Sequence, residues 1–86
     1  MKLNKSLRID NVNSVYNQFS TYIKHQANVV IDLEELVVID TAGLALLLEL
    51  KSLCERYIIN LKFINITECV YKLLNLYQID PSLFDN

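Results

Sequence analysis

The chain has 86 residues, of which 52% are hydrophobic, and a formal net charge of −2; that length suits one domain over residues 1–86, and the apolar content excludes disorder. It has no Lys/Arg cluster to contact nucleic acid, and no apolar run near the roughly 20 residues needed to cross a bilayer. The start, Met1-Lys2-Leu3-Asn4-Lys5, lacks the apolar stretch and cleavage site of a secretory signal, so a cytoplasmic location is expected.

Ser6 to Ile9 reads as a short strand, and Asp10 or Asn11 as the cap of a helix. Val12, Val15, Tyr16, Phe19, Tyr22 and Ile23 follow at helical spacing, with Asn13, Asn17, Gln18, Thr21 and Lys24 opposite. This helix therefore covers a core on one side only. Val29 to Leu33 forms an apolar strand interrupted only by Asp32, and Leu36 to Ile39 an extended lead-in to the next helix. That helix is expected from about Ala42 to Tyr57. Leu61 to Ile66 is a further strand, and Thr67 caps a third helix whose inward stripe is Val70, Leu73, Leu74 and Tyr77. Asp80-Pro81 is a cap followed by a proline at the first helical position. The last turn, Ser82 to Phe84, is expected to pack back on the domain. Strands alternating with helices predict an α/β fold with mainly parallel strands flanked by helices.

The second helix holds a surplus of apolar residues. At 100° per residue, Ala42, Leu46, Leu47, Leu50, Leu53, Cys54 and Tyr57 share one broad arc that can face a sheet. Leu44 and Leu48 fall outside it, on a face whose later positions are Lys51, Ser52 and Glu55. Beside Thr41 they would form an apolar docking edge, which Gly43 and Ala45 adjoin. The plainer alternative is that the first helix or the C-terminal turn covers them. Thr41 also has two readings. Its hydroxyl can be the N-cap of the helix, or it can be a regulatory phosphoacceptor at the positive end of the helix dipole. Gly43, the single glycine, permits close backbone approach at the helix start.

No catalytic constellation emerges. His25 is the only histidine and reads as solvated. There is no P-loop, dinucleotide fingerprint or paired Cys/His set, so neither a metal nor a cofactor is expected. Cys54 and Cys69 lack zinc-like spacing and read as reduced, buried small hydrophobes. A small enzyme built on Asp32 or Asp40, near strand ends, is the least favoured reading.

Asp40-Thr41-Ala42-Gly43-Leu44, placed after an apolar strand, resembles the STAS family (sulfate transporter and anti-sigma factor antagonist). Continuing through Ala45-Leu46-Leu47-Leu48, and with Val70-Tyr71-Lys72-Leu73 and Leu76-Tyr77, the chain is similar over residues 28 to 84 to the MlaB-type STAS subunits of Mla phospholipid-transport ABC complexes. That resemblance implies a non-enzymatic subunit that maintains lipid asymmetry by binding the cytoplasmic ATPase of the transporter. The chain would be held beneath the inner-membrane permease through that ATPase, with no membrane insertion of its own. In such relatives the threonine matching Thr41 faces the ATPase. In phospho-regulated relatives it is the phosphoacceptor, which would make the chain an anti-sigma factor antagonist. The chain departs from the family before its first helix: about ten residues leave room for at most half of the usual N-terminal strand pair.

Overall fold

The computed structural model describes residues 1–84. Its elements are β1 (Ser6–Leu7), α1 (Val12–Tyr22), β2 (Asn28–Asp32), β3 (Val38–Ile39), α2 (Thr41–Arg56), β4 (Asn60–Ile64), α3 (Glu68–Leu76) and a final 3-10 turn (Pro81–Phe84). The α/β class and the parallel strands are as expected. β2 pairs with β4 from Asn28↔Asn60 to Asp32↔Ile64, and β1 pairs with β3 through Ser6↔Val38 and Leu7↔Ile39. A bridge between Lys2 and Asp32 joins the two ladders. The first seven residues thus run beside β2 and then β3, with Leu3 N–H donating to Asp32 O and Val38 N–H to Lys5 O. β2 lies between this segment and β4.

The strands alternate as half-covered strands should. Val29 and Ile31 of β2 are buried, whereas Val30 between them is exposed. In α1, Phe19 and Ile23 enter the core, Val12, Val15 and Tyr16 lie half-buried along its edge, and Tyr22 is exposed. α2 supplies Leu44, Leu46, Leu47, Leu50, Leu53 and Cys54 to the core. Tyr57, placed on the same arc by spacing, is 65% exposed. It occupies the C-cap, where the backbone leaves helical geometry and the angular projection no longer holds. The C-terminal turn does pack back: Phe84 is buried, and its ring meets Phe63 edge-on at 4.9 Å. The two cysteines are free; Cys54 is fully buried, which raises its thiol pKa, and Cys69 is half-buried.

Several end signals differ from expectation in instructive ways. Asn11 is the N-cap of α1 but its side chain makes no bond to the helix; its Oδ1 accepts from Arg8 N–H and its Nδ2 donates to Ser6 O. It therefore organises the turn leaving β1. Thr67, the N-cap of α3, turns its hydroxyl away to donate to Leu36 O at 2.6 Å. α2 ends in a Schellman motif, with Ile59 N–H bonded to Cys54 O and Ile58 N–H to Glu55 O. The residue in the left-handed position is Ile58, at φ 57°, where glycine is usual. A β-branched side chain there is strained by about 1–2 kcal/mol.

Gly43 has an opposite requirement. Its φ is ordinary, but a Cβ added to it would collide with the Leu7 carbonyl and lie 2.8 Å from Ile39 Cγ1. The first turn of α2 therefore rests directly on β1 and β3. Gly43→Ala is expected to cost about 3 kcal/mol, lowering Tm by roughly 12–24 °C. Ile58→Gly is expected to act the other way, raising Tm by roughly 4–8 °C for about 1 kcal/mol gained. Thermal unfolding followed by circular dichroism measures both.

Candidate functional site

The mouth of α2 is set by Asp40 rather than Thr41. Asp40 is extended, at φ −110° and ψ −175°, and its Oδ1 accepts from Gly43 N–H at 2.9 Å. The N-cap role is thus occupied, and Thr41 is the first helical residue. The second oxygen of Asp40 accepts from Ile9 N–H at 3.0 Å, which ties the loop after β1 to the start of α2. The Gly43 and Ile9 N–H groups, with Arg8 nearby, hold the Asp40 carboxyl below its ordinary pKa.

Relieved of capping, Thr41 is exposed, and its hydroxyl lies 2.8 Å from the Tyr77 hydroxyl. Periodicity assigned Tyr77 to the inward stripe of α3. In the fold Val70 and Leu74 fill that stripe, and Tyr77 is 49% exposed. It forms the C-cap of a second Schellman motif, in which Gln78 takes the left-handed position and Ile79 N–H reaches Leu74 O. That exit turn sets Tyr77 across from the α2 mouth. One clue was present in the sequence: a phenol ending an aliphatic stripe needs a polar partner or water.

The expected docking edge is partly corrected. Leu44 is only 3% exposed and Gly43 is buried, so neither presents surface to a partner. The arc allotted to the core was too narrow because it assumed contact with one sheet. α2 packs against α1 and α3 as well as the strands, which widens its buried sector. Thr41 and Ala45 are exposed, and Leu48 is half-buried against the core. These three fall at i, i+4 and i+7, one continuous stripe, which Ser52 extends. Ile9, 71% exposed, is held beside this mouth through its bond to Asp40. The resulting surface is a hydroxyl pair with small and aliphatic neighbours, and it offers no nucleophile with an adjacent base.

Asp32 is built into local structure: its Oδ1 accepts from Glu34 N–H and Asn65 Nδ2, and these bonds lower its pKa. Among the described residues no three His, Cys, Asp or Glu side chains gather as a metal site. No helix of the described chain is long and apolar enough to cross a membrane.

Comparison with protein families matches the STAS domain over residues 1–86. No characterised protein matches the chain. STAS domains are generally non-catalytic and serve small accessory or regulatory roles.

The depressed Asp40 carboxyl gives a signed pH expectation. Between its folded and unfolded pKa values the unfolded chain binds more protons, so acid favours unfolding. The stabilisation from Asp40 is complete above the ordinary value near 3.8 and is lost as pH falls through the lower folded value. Asp40→Asn is expected to lower Tm at pH 7 and to flatten the fall in Tm below about pH 4. Melting curves between pH 7 and pH 2.5 provide the measurement.

Proposed function

From the chain's membership of the STAS family, we propose that it is a non-enzymatic accessory subunit of an inner-membrane phospholipid-transport ABC complex, binding the cytoplasmic ATPase through the Thr41 face of α2. The observation that carries this reading is the exposed Thr41 hydroxyl, paired with Tyr77 and continued along the helix by Ala45 and Leu48. Small and half-buried side chains allow a partner's backbone or helix to approach closely. The two hydroxyls supply orientation at the edge of that contact. The choice of an ATPase as partner is supported by the wider resemblance to MlaB-type subunits, in the leucine run of α2 and the Leu76-Tyr77 end of α3.

The second reading is an anti-sigma factor antagonist switched by phosphorylation of Thr41, favoured by the accessibility of that hydroxyl. Two features oppose it. The Asp40 carboxylate already takes the Gly43 N–H at the positive end of α2. A phosphate on Thr41 would therefore enter beside an existing negative charge and would displace the bond to Tyr77.

Co-purification with an ABC-transporter ATPase from the source cell tests the proposal. Thr41→Glu and Ala45→Asp are each expected to weaken capture by about tenfold or more, with Tm close to that of the parent, because both positions are exposed. Undiminished capture by both variants would remove this face from the interface. Mass spectrometry showing phosphorylated Thr41, together with release of a serine/threonine kinase partner, would favour the second reading.

A further inference from the structure

The end of the molecule opposite Thr41 has its own chemistry. α1 and α2 both finish there, and between their exits lies an open cleft of about 620 Å³. Its apolar wall includes the buried Ile23 and Leu53, with Tyr16 and Tyr57 among the flanking residues. Lys24, His25 and Arg56 also line it, and no Asp or Glu does. In a chain of net charge −2, that is a local reversal of sign. α2 spans 16 residues, roughly 24 Å, so this cleft and the Thr41 face are separate sites.

The simplest role for cations at helix C-termini is to neutralise the dipole and cap free carbonyls. Here several of those carbonyls have backbone partners already. Lys24 and Gln26 N–H groups donate to Thr21 O and Ile23 O, and those of Ile58 and Ile59 to Glu55 O and Cys54 O. The basic side chains are therefore not required to cap these four carbonyls. Arg56 has a carboxylate neighbour, Glu49 on the same helix, at 3.8 Å; both side chains are at least half exposed, so this ion pair is weak and easily exchanged.

A second observation concerns the rim. Ile58 stands between two lining residues, is 92% exposed, and is held at φ 57°. An exposed β-branched residue in the left-handed region gains nothing for the folded chain from its side chain. It does add exposed apolar surface next to Tyr57, itself 65% exposed.

We infer that this cleft binds a phosphate ester carried on an apolar or aromatic body. Lys24 and Arg56 hold the phosphate oxygens, Arg56 through its planar fork, and His25 stands on the same rim. The body lies along Tyr57, Leu53 and Ile23, with Ile58 at its outer end. The volume falls within the range of small-molecule sites, and the combination of an apolar wall with a few convergent polar groups is their usual make-up. The same chemistry is offered by a soluble phosphate ester and by a phospholipid headgroup with its first methylenes. This inference does not rest on the ATPase-binding proposal.

The test is titration of the full chain with phenyl phosphate, followed by amide chemical shifts, and in parallel co-sedimentation with phosphatidylglycerol or phosphatidylcholine vesicles. Shifts are expected at residues 16–26 and 53–59, with Thr41 unmoved. Lys24→Gln/Arg56→Gln is expected to weaken binding by about tenfold or more. Ile58→Gly, which leaves the charges in place and is expected to fold more stably, should weaken it as well. Phenyl phosphate binding identifies a soluble ester as sufficient. Binding to phosphatidylglycerol vesicles alone, lost in the double variant, identifies a lipid headgroup. Binding that the double variant leaves unchanged, or shifts confined to the α2 mouth, would overturn the inference. So would failure of every phosphate probe, whatever the ATPase result; loss of ATPase capture by the double variant would then make the cleft a protein contact.

Discussion

The seating of the first turn of α2 on β1 governs the rest of the molecule. Gly43 permits it, because any side chain there would strike the Leu7 carbonyl. Asp40 secures it, with one oxygen on Gly43 N–H and the other on Ile9 N–H. A single carboxylate thus joins a helix start to a loop 31 residues away in sequence. Once the helix is seated, its rotation is set. Leu44 turns inward, Thr41 and Ala45 turn outward, and Thr41 is free of capping duty because Asp40 performs it.

That division of labour gives the candidate site its character. A threonine serving as N-cap would spend its hydroxyl on a backbone amide. Here the hydroxyl meets another hydroxyl, that of Tyr77, delivered by the turn that ends α3. Two elements distant in sequence therefore share one small polar contact at the edge of an apolar surface. Such a contact adds little to stability, because both groups can bond to water when it opens. Its value lies in orientation, which suits recognition of a partner better than catalysis.

The two ends of α2 are chemically distinct. The N-terminal end carries uncharged small and hydroxylated residues around a capped mouth. The C-terminal end carries basic side chains beside an apolar cleft, and a strained isoleucine at the rim. Both ends contain features that packing alone does not demand, and the 16-residue helix sets them roughly 24 Å apart. On the two proposals above, a partner at one end would leave the other open to a second ligand.

The order of strands and helices was legible in the sequence, because burial on one face imposes a period of two or 3.6 on the apolar residues. So was the family, whose Asp40-Thr41-Ala42-Gly43 segment carries the cap and the close approach in adjacent positions. The tertiary structure decided which apolar residues of α2 were surplus. Leu44 lay outside an arc drawn for one sheet, yet α2 is packed from several sides and buries it. Tyr77 and Tyr57 fitted inward stripes but stand at helix exits, where the periodic projection fails. The basic cleft was illegible because Arg56 is far in sequence from the adjacent Lys24 and His25, and they come to line one cleft only when two helices end side by side. Sequence by itself determined the order of the elements and the period of their burial; long-range packing decided which polar side chains cap and which side chains remained at the surface, because both depend on neighbours that periodicity does not specify.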